Sequence, residues 1–453
     1  MKKRLLITGG VLLVCFAGIQ LIRPEMANAP VTGDLEAPME VKVILKRACY
    51  DCHSNETNLR WYDKIVPVYW QVADHVREGR KALNFSDWQH LAPGDQKGKL
   101  WESVNQIIAG AMPLSSYTRV HSTAKVSQND LDILKSYLLG MLNHKPSDSI
   151  KIFAVSEQYE RWRKDGFSKS VLPVASNGIS YMPDYRNWQA ISTSERFDNG
   201  TMRVIFGNGI AVKAIKENQI NPWPDGAIFA KVAWDQLEDK EGNVTTGEFR
   251  QVEYMIKDDQ KYASTKGWGW ARFKTPEMVP YGKNAAFTTE CINCHRPFMA
   301  NDFVFTFPID FTGSADHSEL VNTMASLPSS FNFDKMDLKV MSSIINKKQA
   351  SMSTLYANDL ALHTAMTGIG DIPAGTIFAL VTWKQQEDKH WFGANIPGEL
   401  QSVELVKAIR SGANTTAFHY QRFEGKDLVL NPDTLQNQVR IRYISSLRPS
   451  VLP

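Results

Sequence analysis

The chain has 453 residues and a nearly balanced charge, 51 Lys+Arg against 48 Asp+Glu, for a formal net charge of +3 at pH 7. That balance gives no argument for nucleic acid or an acidic polymer as partner. A hydrophobic content of 43% is ordinary for a folded protein, and the length leaves room for about two to four domains with cores of their own.

Residues 1–25 stand apart. Lys2, Lys3 and Arg4 precede an apolar run from Leu5 to Ile22, closed by Arg23 and Pro24, the charged-then-apolar order of an export segment. Ala27-Asn28-Ala29 is a poor cleavage site because Pro30 follows it, and Val14 before Cys15 is a bad fit to a lipoprotein box. The run approaches the length that spans hydrocarbon as a helix. The expected reading is therefore an uncleaved transmembrane anchor with its basic end cytoplasmic; a cleaved signal is the alternative. Either way the body lies outside the cytoplasm, on the periplasmic side of a bacterial inner membrane or free in the periplasm.

Residues 38–146 read as helical. Apolar positions recur at helical spacing in Val41, Ile44, Leu45 and Cys49, and again in Leu131, Leu134, Leu138 and Leu142. Five cysteines in an exported chain would ordinarily form disulfides. Here four of them form Cys49-Tyr50-Asp51-Cys52 and Cys291-Ile292-Asn293-Cys294, each followed directly by a histidine, His53 and His295. Covalent attachment of a c-type haem needs this arrangement: two thiols one helical turn apart for the two vinyl groups, then an imidazole beneath the iron. Half a zinc site, a redox pair, or one zinc site sharing all four cysteines are the competing readings. Two intact copies behind an export segment favour two covalently bound haems c, with His53 and His295 as iron ligands.

Between the two helical stretches, Ala111-Met112-Pro113 stands where a small class I cytochrome c has its Met-Pro loop. The Met112 sulfur would be the sixth ligand of the first haem, raising its potential and suiting electron transfer. His121 and His75 are the other candidates, and a core methionine is the plainer reading. The words Arg47 to Thr57, Gly79-Arg80, Leu83-Asn84-Phe85-Ser86, Trp88 and Ile19 to Pro24 resemble the bacterial haem-binding domain family. That resemblance implies one haem in a small, mostly helical domain outside the membrane.

Residues 147–177 read as a linker, with Tyr159, Trp162 and Phe167 packing on the next domain. Beyond Tyr181 the pattern alternates. Ala227 to Trp234 and Gln251 to Ile256 read as strands, with Asp239 to Thr246 as a polar hairpin loop. Tyr185-Arg186-Asn187-Trp188, Arg203 with Asn208, Asp225-Gly226 leading to Lys231, Gly247 with Glu253, Lys257 and Asp258, Gly267-Trp268, the second Cys-x-x-Cys-His and Asp302 to Phe305 resemble the cytochrome P-460 family, whose relatives include the beta-type cytochromes c′. The resemblance covers residues 178–315 and implies a curved antiparallel sheet with helices and a five-coordinate haem on His295. It further implies a covalent link from Lys231 to that haem, with Arg203 and Glu253 on the side where substrate binds. A carboxylate there can take protons as N–H or O–H bonds are oxidised, and a guanidinium can stabilise developing charge. The plainer readings are a solvent-facing strand lysine and a surface ion pair of little worth.

Residues 325–453 repeat this domain. Met352 to Asn358 mirrors Met202 to Asn208, Gly375 to Trp383 mirrors Gly226 to Trp234, and Pro397 to Glu404 mirrors Thr246 to Glu253. The chemistry is lost in the repeat. Ser353 replaces Arg203, Leu380 replaces Lys231, no Cys-x-x-Cys-His follows Phe423, and Glu404 alone survives. The expected fold is thus α+β and multidomain: the anchor, a small all-α cytochrome c domain, then two antiparallel-β-rich P-460-like domains with helices, the second without haem. The expected function is a dihaem redox enzyme acting on a small nitrogen compound such as hydroxylamine, with a redox partner protein as electron acceptor. Nitric oxide binding and simple electron transfer are the alternatives.

Overall fold

The computed structural model describes residues 2–26, 29–142, 146–166, 171–312, 319–367, 372–411, 416–433 and 435–453. Ala27 and Asn28 of the expected cleavage site, Phe167 of the linker and the expected boundary at 315 lie outside the described residues. The chain forms two compact units, Met1–Leu142 and Asn143–Pro453.

The first unit is helical. Its helices are α1 (Lys2–Ile19), α2 (Met39–Ala48), α3 (Tyr50–His53), α4 (Val68–Ala82), α5 (Pro93–Ile108), α6 (Ser115–Val120) and α7 (Gln128–Gly140). The expected periodicity produces the expected faces: Val41, Ile44 and Leu45 of α2 are buried, as are Leu134 and Leu138 of α7. Ser127 and Asp130 form a capping box that starts α7. Arg47 then ties α2 to that helix start, bonding Asp130 at 2.7 Å and the carbonyl oxygens of Thr123 and Lys125.

The anchor expectation is not supported. No described helix is long and apolar enough to cross a membrane. Helix α1 begins with the three charged residues and ends at Ile19, so its apolar part covers about 22 Å against the roughly 30 Å of a hydrocarbon core. The chain turns there because the Gln20 amide bonds both the N–H and the carbonyl of Val66, each at 3.0 Å, and Trp70 donates to the Ile22 carbonyl at 2.6 Å.

The second unit opens with α8 (Ser149–Asp165), whose Tyr159 and Trp162 are buried in the main core as expected. The first repeat follows as β1 (Gln189–Arg196), β2 (Thr201–Gly207), α9 (Gly209–Lys216), β3 (Ile228–Glu238), β4 (Asn243–Lys257), β5 (Trp268–Lys274), β6 (Val279–Pro280) and α10 (Thr288–His295). The second repeat has the same order: β7 (Lys339–Asn346), β8 (Ser351–Ala357), α11 (Asp359–Thr367), β9 (Ile377–Glu387), β10 (Ala394–Arg410), β11 (Thr416–Glu424), β12 (Val429–Asn431) and α12 (Asn437–Ser446). The hairpin loop between β3 and β4 is tighter than expected, because Asn243–Thr245 belong to β4 and pair with β7.

Among the described residues all twelve strands join one antiparallel sheet. The start of β4 pairs with β7, and the start of β10 pairs with β1 through Glu195 and Arg196. These two reciprocal seams close the path β1-β2-β3-β4-β7-β8-β9-β10 into a barrel. One apolar cluster draws Val204, Val232, Trp234, Val252 and Phe273 from the first repeat and Val381, Trp383, Val403 and Leu405 from the second, so both sheets bury the same face between them. Each repeat's outer face is left for its own helices.

On the second repeat's outer face, Leu355, Phe378, Leu380 and Val406 pack against Ile441 and Ile444 of α12. Leu355 is fully buried there. Leu355→Ala should therefore lower the unfolding free energy of the second unit by about 2–5 kcal/mol, measurable by denaturant titration of tryptophan fluorescence.

Candidate functional site

The first Cys-x-x-Cys-His lies across the α2–α3 junction. The Cys49 carbonyl accepts from the N–H groups of Cys52 (3.1 Å) and His53 (2.9 Å), so the thiols stand one helical turn apart. The residues between them are anchored outward. Tyr50 donates to Asp34 at 2.6 Å, and Asp51 accepts from Tyr117 and Arg60, each at 2.5 Å. Helix α4 crosses closely at Gly79, where an added Cβ would come within 2.7 Å of the Cys52 carbonyl oxygen. That approach lets His53 Nδ1 donate to the carbonyls of Gly79 (3.0 Å) and Leu83 (3.2 Å).

The second motif lies on α10. His295 Nδ1 donates to the Phe303 carbonyl at 2.7 Å, and its ring is flanked by Trp270 at 4.5 Å and Phe305 at 4.7 Å between centroids. The accepting carbonyl is held by an unusual turn. Asp302 and Phe303 both have left-handed backbones, φ 48° and 64°, costly for residues other than glycine. Buried Lys257 binds Asp302 at 3.1 Å, and Asp302 also accepts from the Trp268 indole (3.3 Å) and the Trp223 N–H (2.9 Å).

Both histidines fit an iron. With Nδ1 donating to backbone, Nε2 is the nitrogen left with a free lone pair. Burial holds both rings in the neutral form, lowering the His53 pKa and taking that of His295 down to about 4. The cysteines of the two motifs are thiols rather than disulfides, and burial pushes the thiols of Cys49 up to about 12 and of Cys52 and Cys291 up to about 11. Among the described residues no group of three or more His, Cys, Asp or Glu is placed to hold a bare metal ion.

The other sequence candidates separate into two sets. Met112 follows α5 and is 37% exposed. His121 is buried with both ring nitrogens engaged, Nδ1 to the Tyr117 carbonyl (3.1 Å) and Nε2 to Asp63 (3.3 Å). His75 is half-buried on α4. Arg203, Lys231 and Glu253, by contrast, are brought together on the outer face of the first repeat. Lys231 is directly opposite Glu253 across β3–β4, and Arg203, opposite Ala233, is the diagonal neighbour of Lys231. Lys231 and Glu253 form an ion pair, which removes the reading of Lys231 as a solvent-facing strand lysine.

A fourth member, Arg272, was missed from sequence. It is opposite Glu253 across β4–β5 and binds it at 2.6 Å, while its guanidinium stacks over Tyr281 at 4.6 Å. The signal was available, because Arg272-Phe273 recurs as Arg422-Phe423 in the repeat. Gln251 also donates to Glu253, at 3.0 Å. Burial opposes ionisation of Glu253, but Lys231, then Arg272 and Arg203, outweigh it and hold its carboxyl well below the usual carboxylate range. Burial, then Arg196, lowers the Arg203 pKa to about 9. The buried Arg203 Nε and Trp270 Nε1 have no hydrogen-bond partner. Three cations around one carboxylate, with two orphaned donors, make a face whose chemistry fits an anionic group such as the carboxylates of a haem. Around them Ile205, Met255, Cys291 and Val304 pack half-buried on the apolar cluster that α10 helps to form.

In the second repeat the same outer face holds no such row. Glu404 is bound by Arg440 of α12 at 2.6 and 2.8 Å and by Tyr420, while Leu380 and Ser353 stand where the first repeat has Lys231 and Arg203.

Comparison with known families gives two matches. The family described as a haem-binding domain matches residues 13–139, and cytochrome P460 matches twice, over residues 182–306 and 334–438, together just over half of the chain. No curated protein matches the chain significantly.

Because its pKa is depressed, Glu253 contributes stability that is fully present above the unfolded carboxyl pKa of about 4.3 and is lost as pH falls toward the folded value. Glu253→Gln should thus destabilise the second unit at pH 7 by about 1.5–3 kcal/mol. The gap from wild type should narrow below about pH 4; denaturant titrations across that range check both statements.

Proposed function

The chain belongs to the cytochrome P460 family, carries a haem-binding domain ahead of two P460 repeats, and is a haem cytochrome; we propose that it is an exported dihaem enzyme oxidising a small nitrogen compound of the hydroxylamine class. In this reading Cys49 and Cys52 hold one haem with His53 beneath the iron, and Cys291 and Cys294 hold the other with His295. Bound there, haem would supply a one-electron redox centre able to take a small nitrogen ligand. Met112, whose sulfur is uncommitted in contrast to the nitrogens of His121, is the proposed sixth ligand of the first haem. The first domain passes electrons to a redox partner protein. The basic, then apolar, N-terminal segment supports export.

The observation that carries the enzyme reading is the charged row Lys231–Glu253–Arg272 beside Arg203. A gas-binding relative of the beta-type cytochrome c′ kind would have an apolar side there. In this reading Glu253 accepts protons as N–H and O–H bonds are oxidised, and Arg203 holds the ligand's oxygen. As folded, Glu253 is ionised but weakly basic, because two cations bind it directly. A covalent bond from Lys231 Nζ to the haem, the link implied by family resemblance, would remove one of those cations. The proton affinity of Glu253 would then rise toward the working pH, where a general base is most effective.

Intact mass after acid-acetone extraction should exceed the polypeptide by two haems, and Met112→Ala should abolish the near-infrared sulfur-to-iron band; a gain of one haem overturns the dihaem assignment. Lys231→Leu should restore an ordinary c-type spectrum. Glu253→Ala should still bind hydroxylamine yet lose turnover on the order of 10²–10⁴-fold. Wild-type turnover in both variants, with artificial electron acceptor in excess, overturns the roles given to Lys231 and Glu253, and no turnover by the wild-type protein overturns the enzyme reading in favour of nitric oxide binding.

A further inference from the structure

The second repeat carries no attachment motif, yet one of its loops reaches the segment that follows the second motif of the first repeat. Residues 388–393 join β9 to β10 beside the seam where Ala394 pairs with Arg196. Asp388 shapes this loop by accepting from the His390 N–H at 2.8 Å. His390 Nδ1 then donates to the Phe305 carbonyl at 2.8 Å, and its ring sits between Phe307 (4.7 Å) and Phe298 (5.3 Å). Trp391 lies parallel to Phe305 at 6.3 Å, donates to Asp198 at 3.1 Å, and is covered by the Arg196 guanidinium at 4.1 Å.

The carbonyls of Phe303 and Phe305, two residues apart, are thus taken by two histidines. His295 holds one and His390 the other. The Phe305 ring lies against His295 and its backbone is fixed by His390, so the orientation of the His295 ring depends on the loop from the other repeat. The equivalent loop of the first repeat reads Lys240-Glu241-Gly242 and carries no ring. The aromatic loop meets the segment that follows the attachment helix α10.

We propose that the haemless repeat is a positioning element for the first repeat's haem site: His390, braced by Trp391, fixes the 303–307 segment and through it the ring of His295. Rings that cannot rotate keep the Nδ1–H···O bond to Phe303 short, which raises the basicity of Nε2 toward iron. His390 and Trp391 act through Phe305 and touch no reacting atom. The proposal rests on His295 being an iron ligand, as in the function proposed above.

The test uses the full-length holoprotein with His390→Leu, His390→Gln and Trp391→Phe. His390→Leu should move the iron–histidine stretching band of the ferrous protein to lower frequency and broaden it. It should also speed amide exchange across residues 296–307 roughly fivefold, as loss of one net hydrogen bond implies. His390→Gln, whose amide can still donate to Phe305, should restore both toward wild type. Trp391→Phe, which removes only the bond to Asp198, should shift the band in the same direction but less, and it serves if the leucine variant does not fold. An unchanged band and unchanged exchange in the leucine and phenylalanine variants overturn the proposal. Equal shifts with leucine and glutamine also overturn it, since that outcome is generic packing. Exchange needs no open iron, so it separates failure of this proposal from failure of the reading it rests on.

Discussion

The constraint on which the site depends is the register of β3, β4 and β5. Because side chains alternate along a strand, Val232, Val252 and Phe273 can fill the core between the repeats only if Lys231, Glu253 and Arg272 face the other way. Those three apolar residues are fully buried, and the three charged ones stand directly opposite one another across the strands. A slip of one residue would exchange the two sets and place the charges in the core. The hydrophobic core therefore sets the spacing of the charged row, which needs no contacts of its own to be aligned. Glu253 sits in the middle, where a cation reaches it from each side.

The parts legible in the sequence are those whose physics is local. The Cys-x-x-Cys-His motifs are set by the reach of one helical turn, and the faces of α2 and α7 by helical period. The duplicated words around Trp234 and Trp383 mark two copies of one sheet. What escaped reading is non-local. Nothing near Glu238 or Glu387 indicates that each repeat begins its longest strand on the other's first strand, closing the barrel. The same holds for Arg272, which acquires its role by pairing with a residue nineteen positions earlier, and for His390, which acts on the opposite repeat. Helix α1 was misjudged for a related reason. Its composition extends past Ile19, but the bonds from Gln20 and Trp70 to distant backbone turn the chain first.

The two repeats solve one geometric problem differently. Each has a sheet whose outer face must be covered. In the first, α10 stands over a face left partly polar, with Arg203 and Trp270 donors unpaired. In the second, α12 follows β12 as α10 follows β6, but it sends Ile441 and Ile444 onto the sheet and binds Glu404 with Arg440. An apolar helix face and one arginine thereby cover the face that in the first repeat carries the charged row. The carboxylate persists in both because it has a cationic partner in both.

The tryptophans at the centre of the two sheets hand their indole N–H groups to segments far along the chain. Trp383 donates to Ala325, at the start of its own repeat, while Trp234 donates to Val451 and Trp162 to Leu452. The first repeat's core therefore lacks a wall until residues 451–453 have left the ribosome. Contacts spanning more than two hundred positions make nucleation slow, and a partly made first repeat must wait with apolar surface exposed, a state prone to aggregation. Contacts of that span favour closing the barrel late and as one unit rather than repeat by repeat.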